Sequence, residues 1–142
     1  MREVTVGWAG GTFAQDIEVA GHHVRADEEV EKGGEDSGAA PHELLLAALG
    51  SCTAMTLKVY AERKGWPLTD VHVRLNGATG ESGLAITREV TIEGDLSAEQ
   101  RQRLIEIADK CPVHRTLHAE VSIPTRLADA DKASHGETPP AE

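Results

Sequence analysis

Between Pro41 and Lys64 the chain carries one uninterrupted helical pattern, bounded by Pro41 at a favoured first-turn position and by Gly65 as a C-cap, with Pro67 shortly beyond. At 1.5 Å per residue such a helix is roughly 36 Å long, which equals or exceeds the diameter of a small domain. It is therefore expected to be the central element, around which everything else must be arranged. Leu45, Ala48, Leu49, Cys52, Met55, Thr56 and Val59 fall at steps of three and four and define one apolar face. Gly50 lies in its interior, where glycine costs about 1 kcal/mol relative to alanine. That cost points to close approach by another element or a ligand.

The flanking segments read as strands. Val4, Val6 and Trp8 alternate with polar residues, Phe13 to Val19 resume the period of two after Gly10-Gly11, and His22–Ala26 follow the Ala20-Gly21 turn. Three such strands in succession form an antiparallel meander. Residues 27–40 are acidic and glycine-bearing, a loop either mobile or shaped by what it contacts. After the helix, Val71, Val73 and Leu75 mark a strand, and Leu84, Ile86, Arg88, Val90 and Ile92 share one face of the next. Ser97 with Gln100 is a capping box opening a second amphipathic helix that ends near Cys111. Leu117, Ala119, Val121 and Ile123 are expected to make a closing strand. This order gives an α+β fold in one domain, residues 1–127. Residues 128–142 have no apolar period and are expected to form a disordered tail.

With 24 acidic against 14 basic residues, the net charge is −10, a field that repels nucleic acid and anionic membranes. The longest apolar run, Leu44–Leu49, is far shorter than a membrane span, and no signal peptide is visible. These features indicate a cytoplasmic protein. In a reducing compartment its two cysteines, Cys52 and Cys111, are either small buried hydrophobes or redox-active thiols.

Cys52 lies mid-helix, beyond the reach of the helix dipole, so its activation would require a neighbouring cation or base. Cys111 precedes Pro112, which suits the first position of a new short helix. Cys111 then becomes an N-cap whose surroundings favour a thiolate, with His114 and Arg115 adding basic groups. The same segment has a Cys-x-x-His spacing, half of a zinc site, but no second pair has metal-type spacing. Arg88 stands on an apolar strand face between Ile86 and Val90, where a charge is expensive unless paired. It serves an edge or subunit contact, or it faces a cysteine or an anionic ligand. Glu43, in the first helical turn, either compensates the dipole or partners that cation.

The segment Pro41-His42-Glu43-Leu44-Leu45-Leu46-Ala47-Ala48-Leu49-Gly50-Ser51-Cys52, with Ala108-Asp109-Lys110-Cys111-Pro112-Val113-His114 about sixty residues later, resembles the OsmC-like family of osmotically induced and organic hydroperoxide resistance proteins. The resemblance implies an intertwined homodimer, with long helices crossing centrally, antiparallel sheets around them and sites at the subunit interface. It also implies a thiol-dependent peroxidase in oxidative stress defence. Cys52 would attack an organic hydroperoxide and become a sulfenic acid, and Cys111 would resolve it as a disulfide. No bound cofactor is implied; a thiol reductant, lipoyl groups in the best-understood branch, is the co-substrate.

Two positions depart from the peroxidase branches. Thr12 follows Gly10-Gly11 where an arginine is usual, and His42 follows Pro41 where a glutamate is usual, with Glu43 about 100° further round the helix. Arg88, Arg115 or Arg25 is the candidate substitute cation, Arg88 first. The departures support an alternative: a non-catalytic OsmC-like homodimer that binds a small anionic or thiol ligand.

Overall fold

The computed structural model describes residues 1–128, so the tail expectation, Ala128 apart, lies outside the described residues. Strands β1 (Thr5–Trp8), β2 (Gln15–Val19) and β3 (His22–Ala26) form the expected antiparallel meander, in register Val6 to Ile17 to Val24. The β2–β3 turn has only two residues, Ala20 (φ 49°) and Gly21 (φ 82°). Both are left-handed, which matches the twist of a tight hairpin.

Residues 27–40 are ordered from within. Asp27 is buried; one carboxylate oxygen accepts from the Ser37 hydroxyl (2.5 Å) and the Ser37 N–H (3.0 Å), the other from the Glu28 N–H (2.8 Å). These hydrogen bonds, led by the Ser37 hydroxyl, hold the Asp27 carboxyl at about 2. A side chain at Gly34 would strike the Glu28 carbonyl, and one at Gly38 the Arg25 carbonyl. The loop's glycines thus record how tightly it folds on itself.

Helix α1 (Pro41–Lys64) has the expected bounds. Gly65 is left-handed (φ 70°), and the Trp66 N–H returns to the Ala61 carbonyl at 2.9 Å, closing the C-terminus. The hairpin β4 (Leu68–Gly80) and β5 (Gly83–Gly94) packs along one side of it. At Gly50 the close neighbour is a Leu75 methyl of β4, 2.7 Å from where a Cβ would stand. Helix α2 (Ala98–Ala108) opens with the reciprocal Ser97–Gln100 cap, and Leu57, Ala61, Leu104, Ile107 and Ala108 make the core between α1 and α2.

Two expectations need correction. The buried stripe of α1 is Leu49, Thr53, Leu57 and Ala61, whereas Met55 and Val59 of the expected face are exposed. The helix is apolar on more than one side, so spacing alone could not say which side the hairpin and α2 cover. By length and composition α1 could cross a membrane; here it is the core helix that hairpin and α2 pack against. The closing strand is not formed. Helix α3 (Pro112–His118) takes in Leu117, and residues 119–128 have no regular structure. Alternation makes a strand only where a neighbour accepts its backbone hydrogen bonds, and among the described residues Val121 and Ile123 meet none, staying exposed.

Candidate active site

Cys52 belongs to α1 and Cys111 to the start of α3, and both are free thiols. Cys52 is half-buried in an apolar groove of about 640 Å³ beside α1, with Met55, Val59, Ile107 and Pro112 in its walls and Arg63 and Lys110 as its cations. Cys111 is fully buried. As the sequence indicates, it caps α3, its sulfur accepting from the His114 N–H at 3.3 Å. That sulfur also lies 3.8 Å from the hydroxyl of Thr53, the residue after Cys52. Pro112, adjacent to Cys111, lines the groove of Cys52. One thiol is thus presented to an apolar cleft and the other is held just behind it.

Arg88 reaches from β5 into the junction of α1, α2 and α3, its side chain only 12% exposed. One terminal nitrogen donates to the Thr53 hydroxyl (3.0 Å) and the Ala108 carbonyl (3.3 Å). The other donates to Asp109 (2.8 Å) and His114 Nδ1 (3.2 Å). This resolves why a charge occupies an apolar strand face: it is paired with Asp109, and both terminal nitrogens are hydrogen-bonded. Because a guanidinium only donates, His114 Nδ1 must accept, and the ring is neutral with its proton on Nε2. Burial first, then the Arg88 charge, lowers the His114 pKa below its ordinary value and favours that same form. Arg88 therefore stands on the Thr53 and Cys111 side of α1.

Glu43 accepts from the Ala40 N–H at 2.7 Å, half of a capping box. It stands nine residues before Cys52, about 13 Å along the helix axis, and the two do not meet within one chain. Arg25 donates to Ser37 (3.0 Å) and so belongs to the 27–40 loop. Among the described residues no three His, Cys, Asp or Glu side chains converge as a metal site would require, and the Cys111–His114 pair is joined through the backbone amide. Thr53 is the site residue that sequence reading missed. Its signal was indirect: a buried Arg88 needs acceptors, and a threonine among the apolar residues of α1 is one.

Fold and site together define a class: an α+β protein whose long helix offers one cysteine to an apolar cleft, with a second cysteine buried beside it. Residues 34–126 match the OsmC-like protein family, and the chain belongs to it. Its structure is similar to that of an OsmC-like protein from Mycoplasma pneumoniae, with a TM-score of 0.72 at 18% identity over 83% of this chain and 87% of that one. It is also similar to the organic hydroperoxide resistance protein OsmC from Legionella pneumophila (TM-score 0.66, 21% identity, 82% and 88% covered). A third likeness is the organic hydroperoxide resistance protein OhrB of Bacillus subtilis (TM-score 0.59, 21% identity, 82% and 89% covered). At these identities the likeness is one of fold. No curated protein matches the chain by sequence.

Proposed function

We propose that this chain is a thiol-dependent peroxidase for organic hydroperoxides, acting as a cytoplasmic homodimer in oxidative stress defence. The observation that carries the reading is the pairing of a half-buried Cys52 in an apolar groove with a buried Cys111 held at Thr53 on the same helix. The Cys52 thiolate attacks the distal oxygen of the hydroperoxide, alcohol leaves, and a sulfenic acid forms. Cys111 then attacks that sulfur, releasing water and closing a disulfide, which a thiol reductant such as a lipoyl group reopens. An apolar groove favours an alkyl hydroperoxide over hydrogen peroxide, and Lys110 and Arg63 supply the groove's positive charge for the thiolate. In the proposed homodimer the groove lies at a subunit interface, the one route by which Glu43, which caps α1 through the Ala40 N–H, reaches a Cys52 thiol, that of the second copy.

The test is the intact mass of the reduced protein after one equivalent of cumene hydroperoxide. Loss of two hydrogens, with a Cys52–Cys111 link in the digest, is expected. Unchanged free thiols after minutes at neutral pH would sink the reading. The engagement of Arg88 with Asp109 and His114, and of Glu43 at the helix start, favours one alternative: a non-catalytic homodimer that binds a small anionic or thiol ligand. Cys52→Ser separates the two, since it abolishes peroxide consumption only in the first.

A further inference from the structure

Thr53 follows Cys52 and so projects about 100° away from it, toward the buried side of α1. Its hydroxyl proton goes to the Leu49 carbonyl at 2.7 Å, and Arg88 donates to its oxygen at 3.0 Å. With its only proton engaged, the hydroxyl can meet the Cys111 sulfur, 3.8 Å away, only as an acceptor. The neutral Cys111 thiol therefore donates to Thr53, and this fixes the sulfur on the turn of α1 that carries Cys52.

We propose that Thr53 and Arg88 are positioning residues for Cys111, holding it against the turn of Cys52 and stabilising its thiolate while it attacks the oxidised partner. The inference rests on the two-cysteine reading above. In the step, a Cys111 sulfur lone pair forms the S–S bond as the S–O bond of the Cys52 sulfenic acid breaks. The departing hydroxide takes up the proton released by Cys111 and leaves as water; the hydroperoxide has already supplied the oxidation. When Cys111 loses its proton, the Thr53 hydroxyl turns from the Leu49 carbonyl to the sulfur. Arg88, still donating to the Thr53 oxygen, polarises that O–H toward the new charge. The Arg88 charge is itself balanced by Asp109, so its effect reaches the sulfur through the hydroxyl. The other titratable groups around this junction are Asp109, between α2 and α3, and His114 of α3, both bonded to Arg88; the His114 backbone N–H also meets the sulfur.

Thr53→Val keeps the shape and removes the hydroxyl, Thr53→Ser keeps the hydroxyl, and Arg88→Lys keeps the charge without the fork. Each full-length protein is reduced and mixed with one equivalent of cumene hydroperoxide, and formation of the Cys52 sulfenic acid and closure of the disulfide are timed separately by quenched mass analysis. In Thr53→Val, formation is expected to stay within about twofold and closure to slow about tenfold, the value of one well-made hydrogen bond. Its closure profile should move to higher pH, Thr53→Ser should close nearly as wild type, and Arg88→Lys should fall between. Wild-type closure with an unmoved pH profile in Thr53→Val would overturn the relay, as would equal slowing in both threonine variants, which marks packing alone. A wild-type protein that forms no sulfenic acid at all fails at the earlier step and refutes the peroxidase reading instead. The relay is then judged in Cys52→Ser, where the ultraviolet absorbance of the Cys111 thiolate should appear at higher pH once Thr53 is also changed to Val. Coincident titrations there would overturn it.

Discussion

Asp27 shows how a single side chain can set the shape of a loop. Its carboxylate gathers Ser37 and Glu28, and its pKa falls from 3.8 to about 2 because those donors favour the charged form. A depressed acid stabilises the fold above its unfolded pKa and loses that contribution as pH falls through the folded value. The urea midpoint of Asp27→Asn should therefore lie below wild type at neutral pH. The gap should narrow below pH 3.8 and close near pH 2. A gap that persists unchanged to pH 2 would show that the latch is not ionic. The sequence exposed some residue roles and hid others for the same reason. Cys111 was legible as an N-cap because Pro112 cannot occupy a helix interior, and Ser97 because its partner Gln100 lies three residues on. Thr53 and Asp27 were not, since their partners Arg88, Cys111 and Ser37 come from other segments and short-range spacing carries no record of them.

Elements bounded by strong backbone chemistry were read almost to the residue. Helix α1 ends where Gly65 turns left-handed, and the meander turns at Ala20-Gly21, where both residues have positive φ. What the pattern could not supply was which apolar face is covered, because burial depends on the neighbouring element and not on the helix. Gly50 illustrates the point: a costly interior glycine signalled a close neighbour, and the neighbour is the end of a flexible leucine on β4. Gly50→Ala sets a helix-propensity gain of about 1 kcal/mol against a rotamer shift of Leu75, costing about 0.5–1.5 kcal/mol. A net change within about 1 kcal/mol is expected in denaturant titration. Gly38→Ala should behave differently, because its Cβ would meet the Arg25 backbone carbonyl, which cannot swing aside. It should cost more than Gly50→Ala by about 1–3 kcal/mol. Equal effects in the two variants would mean that the 27–40 loop opens as readily as a leucine changes rotamer.

At the scale of the molecule, one chain leaves too much apolar surface uncovered. Large apolar side chains stand in the open at three places: Trp8 is 76% exposed on the edge strand of the meander, Met55 67% along the groove face of α1, and Ile123 78% beyond α3. The meander, the groove of Cys52 and the segment after α3 all await the same kind of cover. The segment after α3 alternates as a strand does, yet among the described residues it has no strand beside it. In the proposed homodimer a second copy would supply all three, whereas an acidic surface of net charge −10 offers nothing to a polyanion. The expected result is a light-scattering mass near twice 15.2 kDa at micromolar concentration. In a Trp66→Phe background, Trp8 should emit as a shielded indole, and Met55→Lys should halve the mass and expose Trp8 to acrylamide. A monomeric mass with Trp8 open to quencher would mean that the chain keeps its groove uncovered. Glu43 and Cys52, about 13 Å apart along one helix, would then have no route to each other.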